Sequence, residues 1–209
     1  MNKIFLLICV SVIFIPSCDC FQLKEGDLLF QIGKGSDLEQ SVSAATAEQK
    51  NFPFTHVGIA DSKREIWEAT PKQGVHKISL ADFLEDALKI QNRPAVVVFR
   101  LKKPYQKFLP SALKRIRSLQ NKPYDELFDA ENDAYYCSEL IQQTFLDKEL
   151  HPLFPSIPMN FTDRRTGEIL SYWKAHFDKY TLPVPQGKPG SNPANLSQSA
   201  LLKQVYSYF

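Results

Sequence analysis

Tyr135-Tyr136-Cys137-Ser138-Glu139-Leu140-Ile141 is the stretch on which the reading of this chain turns. Cys137 is the only cysteine beyond the first twenty residues. An acidic loop, Asp125 to Asp133, ends just before it, and Leu140, Ile141, Thr144 and Phe145 then fall at helical spacing. The pattern predicts a helix to about Leu150 with Cys137 in its first turn. Amide N–H groups and the positive dipole end at such a place favour a thiolate over a thiol. A nucleophilic thiolate needs a base, and the base needs a group that orients it.

Both are available upstream. Phe54 to Ala60, with Thr-His-Val-Gly-Ile at its centre, alternates as a strand; Asp61-Ser62-Lys63 is a polar turn and Glu65 to Thr70 a second strand. With the turn centred on Ser62, Ala60 faces Arg64, Gly58 faces Ile66 and His56 faces Glu68. Opposed residues share a face with Cβ atoms about 4.5–5.5 Å apart, so this register sets an imidazole beside a carboxylate. A slip by one residue in one strand would undo it. Cys137, His56 and Glu68 thus have the parts of a triad: nucleophile, proton acceptor and orienting acid. The Cys137 N–H and the Tyr124 hydroxyl are candidate donors to an oxyanion. Glu139 could bond a nearby loop N–H, bind a substrate amine, or stand as an exposed first-turn acid. His76, His151 and His176 read as bystanders, and Trp67, Trp173 and Phe177 as core or cover.

The 209 residues suit one domain with a real core, and 44% hydrophobic with 23% charged residues is ordinary for a globular protein. A net charge of +2 without a basic stripe argues against nucleic acid as a partner. Residues 1–20 are a different material: Lys3, an apolar run from Ile4 to Ile15, then Pro16-Ser17-Cys18. That run is short for a bilayer span but suits the core of a secretory signal. Ile15-Pro16-Ser17-Cys18 resembles the lipobox of bacterial lipoproteins, in which Cys18 would carry lipid; simple cleavage near Cys20 competes with it. The expectation is an exported protein of the periplasm or envelope, touching membrane only through such an anchor. A Cys20–Cys137 disulfide is the bland alternative for Cys137. No CxxC pair and no His, Asp or Glu cluster has metal-ligand spacing, so neither metal nor cofactor is expected.

The remaining chain reads as an opening strand, Leu28 to Ile32; a glycine-broken loop; and a short helix begun by Ser36 and ending near Ala45. Then come a strand from Gly74 to Leu80, a helix to Ala87 with Ala81, Leu84 and Leu88 inward, and the strongest strand, Ala95 to Leu101. Tyr105 to Leu119 reads as one amphipathic helix and Thr166 to Phe177 as another. The domain spans residues 21–182, and residues 183–209, rich in proline, glycine and serine, form a wrapping extension.

Thr-His-Val-Gly-Ile, a polar residue twelve positions after the histidine, then Tyr-Tyr-Cys-Ser-Glu-Leu, resembles the circularly permuted branch of the NlpC-type papain-like cysteine hydrolases, in its YiiX-like group. Gly26-Asp27-Leu28-Leu29 resembles that group's opening strand and Gly187 to Pro193 its tail. His56 precedes Cys137, the reverse of the parent family, hence the permuted branch. The resemblance implies an α/β fold in which a small antiparallel sheet or half-barrel packs against the cysteine helix. It also implies amide or acyl hydrolysis through a thioester, with peptidoglycan stem peptides among the wider family's substrates. A lipid acyl hydrolase or acyltransferase is the first rival, and a non-catalytic binding module on the same fold the second.

Overall fold

Short apolar runs buried on both faces write most of the sheet. The computed structural model describes residues 21–46 and 52–209. The leader, Cys18 and Cys20 lie outside them. Six strands form the frame: β1 (Leu28–Gln31), β2 (His56–Ala60), β3 (Glu65–Thr70), β4 (Gly74–Ser79), β5 (Val96–Leu101) and β6 (Leu202–Ser207). They run in the order β6-β5-β1-β2-β3-β4, antiparallel at every step. Around them lie α1 (Asp37–Thr46), α2 (Leu80–Glu85), α3 (Leu109–Ser118), α4 (Cys137–Thr144), α5 (Ser171–Asp178) and the single turn α6 (Pro193–Leu196). This is a mixed α/β architecture with a helix-backed antiparallel sheet, as expected.

The period of two decides which side each residue covers. Leu28, Phe30, Val57, Ile59, Trp67 and Ala69 share a core with Ile116 of α3 and Leu140 and Ile141 of α4. Leu29, Ala60, Ile66, Val96 and Val98 pack with Phe83 of α2. Burying side chains of this size contributes about 1.5–3 kcal/mol each before the entropy of ordering is subtracted. Phe83 is the inward anchor of α2, whereas Ala81 and Leu88 are exposed. A Cβ added at Gly58 would lie 2.6 Å from Ile66 Cγ2 and 3.0 Å from the Phe83 ring, so this glycine lets the ring close onto the sheet.

Several boundaries differ from the sequence reading. The expected helix Tyr105–Leu119 is a 3-10 segment, Lys103–Phe108, followed by α3. Pro104 and Pro110 each sit in a first turn, where a missing N–H costs nothing. α4 stops at Thr144, six residues short of Leu150, because Phe145 leaves helical geometry (ψ 89°) and buries its ring against Phe154, centroids 5.7 Å apart. Thr166 and Gly167 close a turn onto the Asp163 carbonyl, so the next helix begins at Ser171. Residues 183–209 contact the body: Pro189–Gly190 pairs with Ile157–Pro158. They also finish it, since β6 pairs along β5 as an edge strand.

Two polar clusters lock this frame. Asp27, fully buried, accepts from Arg100 Nε at 2.6 Å and Nη2 at 2.7 Å, tying the start of β1 to β5. Asp61, beside the β2–β3 turn, receives Lys77 of β4 and Arg117 of α3, each at 2.7 Å.

Candidate active site

The β2–β3 hairpin does not have the register that a turn on Ser62 gives. Ile59 pairs with Trp67 and Ala60 with Ile66, so the turn is two residues longer and centred on Lys63. Continued along the strands, that register sets Gly58 opposite Glu68 and His56 opposite Thr70. A shift of two preserves the face, whereas a shift of one would have reversed it. Diagonal neighbours remain within reach of long side chains. Glu68 Oε2 accordingly lies 2.7 Å from His56 Nε2.

His56 and Cys137 line the same cleft, and the cysteine side chain, like Glu68, favours the charged imidazole. Nε2 is engaged by Glu68, so Nδ1 is the nitrogen not committed to that carboxylate. His56 opens β2 and Cys137 opens α4, so they meet at the end of the sheet, although the helix body packs on the opposite face from Ala60 and Ile66. Burial acts most strongly on the imidazole and disfavours its charge. The interactions of the ring with Cys137 and Glu68 together outweigh it and raise His56 to about 10. Glu68 is 5% exposed; burial again opposes ionisation, and the two imidazoles beside it, His56 and His76, prevail and lower it to about 2. Imidazolium and carboxylate are therefore the resting forms at neutral pH.

Cys137 is a free thiol, 8% exposed, in the floor of a cleft of about 740 Å³. The loop leading to it is built on Asp125, which accepts the Leu127 and Asp129 N–H groups and the Asn132 amide. Tyr124, just before this loop, lines the same cleft. Burial first, then the ionisable groups of Cys137, Glu126, Tyr172 and Asp125 around it, hold its phenol far above its usual range, so it remains an O–H donor. Glu139 does not reach the cleft, which corrects its reading as a substrate contact. It is 3% exposed and turned back on its own helix start, accepting from the Tyr136 N–H at 3.4 Å. Burial, then the neighbouring Asp125 charge, raises it to about 8.

The pattern of the permuted papain-like amidases, the YaeF/YiiX or C92 family, matches residues 22–206. The chain belongs to this family. A solved structure described as the metalloprotein yiiX from Escherichia coli O157:H7 superposes with a TM-score of 0.67 at 21% identity, covering 90% of this chain and 98% of that one. At that identity the likeness establishes the permuted fold. No curated protein sequence matches the chain.

This amidase-family protein carries site neighbours that the sequence did not disclose. Gln31, paired with His56 across β1–β2, is 3% exposed in the cleft wall, its amide donating to the Phe83 carbonyl at 3.3 Å. The tail supplies Ser191, Asn192 and Pro193 to the same wall. Ser191 N–H donates to the Tyr136 hydroxyl at 2.9 Å and Ser191 Oγ to Ser138 Oγ at 2.9 Å, pinning the tail to the start of the cysteine helix. Asp37, Glu126, Tyr172 and Lys179 line the mouth. Tertiary closure brings these together, and no spacing along the chain could have announced them. His76, read as a bystander, stands on β4 directly opposite Glu68. His151 is exposed beside Asp147, and His176 donates towards the Glu126 carbonyl, 2.7 Å away.

Among the described residues, Asp147, Glu149 and His151 bring metal-ligand atoms within 4.8 Å of one another, a grouping the sequence reading had not seen. Asp147 Oδ1 already accepts the Glu149 and His151 N–H groups, each at 2.9 Å, so closure of an exposed loop accounts for the cluster.

Proposed function

We propose that this protein cleaves an amide bond through a thioester acyl-enzyme, with Cys137 as nucleophile, His56 as proton carrier and Glu68 as the group that orients it. The observation that carries the reading is the imidazole held by the Glu68 carboxylate at 2.7 Å in the same cleft that Cys137 lines. Cys137 sulfur adds to the carbonyl carbon. The oxyanion takes hydrogen bonds from the Cys137 N–H and the Tyr124 hydroxyl. His56 then gives its Nδ1 proton to the leaving nitrogen, the C–N bond breaks, and the acyl group remains on sulfur. Water attacks the thioester, His56 takes its proton, and the acid leaves with the thiolate restored.

Peptide amides, cell-wall peptides foremost, suit the cleft better than acyl chains. Its lining includes the carboxylates of Asp37, Glu39, Asp86 and Glu126 and the ammonium groups of Lys34 and Lys179. Burying such groups against a hydrocarbon tail would be costly. The leader sequence supports action outside the cytoplasm, in the periplasm or envelope, with Cys18 as an optional lipid anchor. Soluble wall peptides and phospholipid micelles would be offered in parallel to wild type, Cys137→Ser and His56→Ala. Amine release from peptides, an acyl adduct on Cys137 by mass spectrometry and loss of both in Cys137→Ser are expected. Turnover of the micelles alone would transfer the reading to lipid acyl chemistry. A Cys137 that alkylates equally fast with and without His56 would leave a binding module.

A further inference from the structure

Glu68 faces two imidazoles. Oε2 lies 2.7 Å from His56 Nε2, and Oε1 lies 3.1 Å from Nε2 of His76. The second approach is not lined up along an N–H direction, so it is a contact of charges more than a hydrogen bond. His76 is fixed from its other side: Nδ1 donates to the Gly74 carbonyl at 3.0 Å. Gly74 is itself held at the hairpin tip with φ +63°, where an added Cβ would lie 2.2 Å from the Lys122 carbonyl. The Val75 N–H donates to that same carbonyl at 2.8 Å, so segment 121–123 closes the edge of β4 and the ring has little room to turn.

From this geometry we propose that His76 is a positioning residue for the catalytic pair: as an imidazolium it occupies Glu68 Oε1 and so commits Oε2 to His56, and it releases that hold when it loses its proton. With Nδ1–H spent on Gly74, a neutral His76 presents the Nε2 lone pair to a carboxylate oxygen, which repels it. The hold therefore exists only in the charged form. The charged groups around His76 agree with this assignment. Glu68 on β3 attracts the charge, and His56 on β2, one residue beyond, opposes it. Lys122, on the covering segment, directs its ammonium to Asp133. On His76 itself the Glu68 contact acts most strongly, burial opposes it, and the net shift is upward from 6.5. The switch would thus lie above the ordinary imidazole midpoint of 6.5.

This proposal rests on the Cys137–His56 reading above and is tested so that the two fail separately. Histidine ring nitrogens of the wild-type chain would be followed by NMR across pH, without substrate. The His56 Nε2 resonance is expected to show a step at the midpoint where His76 titrates, and the step to vanish in His76→Gln. Iodoacetamide alkylation of Cys137 near pH 7 would be measured beside it. His76→Phe is expected to slow it roughly tenfold, the effect of about 1.4 kcal/mol. His76→Gln, which keeps an N–H but no charge, is expected to recover little of that loss. A His56 resonance blind to the His76 midpoint, or full recovery of the alkylation rate by Gln, would overturn the proposal. An alkylation rate indifferent to His56→Ala overturns the Cys137–His56 pair instead, while the NMR step still judges His76.

Discussion

Replacing Glu68 by glutamine is the most informative single change. It preserves size and a hydrogen-bonding oxygen but removes the charge that two imidazoles face. Glu68 ionises at about 2 instead of 4.5. That difference of 2.5, at about 1.36 kcal/mol per unit, is worth about 3 kcal/mol. The carboxyl is 5% exposed, so solvent screens little of it. Because the folded value is depressed, the stabilisation is complete above pH 4.5 and fades as pH falls towards 2. His56 behaves in the opposite sense: raised from 6.5 to about 10, it contributes fully below 6.5 and loses its contribution as pH rises through 10. The two shifts describe largely the same pair and are not added. Glu68→Gln should therefore lower unfolding stability by about 3 kcal/mol near neutrality, with the gap closing as the wild-type carboxyl protonates. His56, sharing the carboxylate with His76, should titrate on the order of one unit lower. Urea unfolding at acidic and neutral pH, with histidine NMR, reads both quantities. An unchanged His56 midpoint together with a stability loss below about 0.5 kcal/mol, the size of an ordinary surface contact, would refute the reasoning.

Three further outcomes follow from the same geometry. Glu139→Gln should stabilise the fold increasingly from pH 4.5 to about 8, because the wild-type acid must surrender a proton the folded state holds more tightly. Its ceiling is on the order of 3–5 kcal/mol, and unfolding at pH 5 and pH 8.5 measures it; equal stability at both would show that the carboxyl is not held neutral. Tyr124→Phe should reduce kcat roughly tenfold to a hundredfold while leaving KM nearly unchanged, as removal of an oxyanion donor does; a change in KM alone would make Tyr124 a binding contact. Gly58→Ala should destabilise by about 1–3 kcal/mol, because its Cβ would press on Ile66 and Phe83, and a Tm equal to wild type would mean the ring can retreat.

By itself the sequence determined the elements that obey local rules. Short apolar runs bounded by turn residues specified β1, β2, β3 and β5, and the pattern after Cys137 specified a helix with the thiol in its first turn. Face parity carried His56 to the side of Glu68 even though the turn was misplaced, since the true register differs by an even number. What local pattern cannot contain, tertiary packing decided. Phe145 ended α4 early because a ring gained more from the core than Leu146 to Leu150 gained from continuing a helix. Glu139 went inward because the N3 carboxylate of a buried helix start faces its own N-cap, whatever its polarity suggests. His76 became a partner of Glu68 only when β4 paired with β3, and Ser191 joined the cleft only when the tail returned across the cysteine helix. Chemical type and periodicity are written residue by residue, so they can be read from the chain. Which distant groups share a carboxylate depends on how whole elements close on one another, and only the folded structure holds that information.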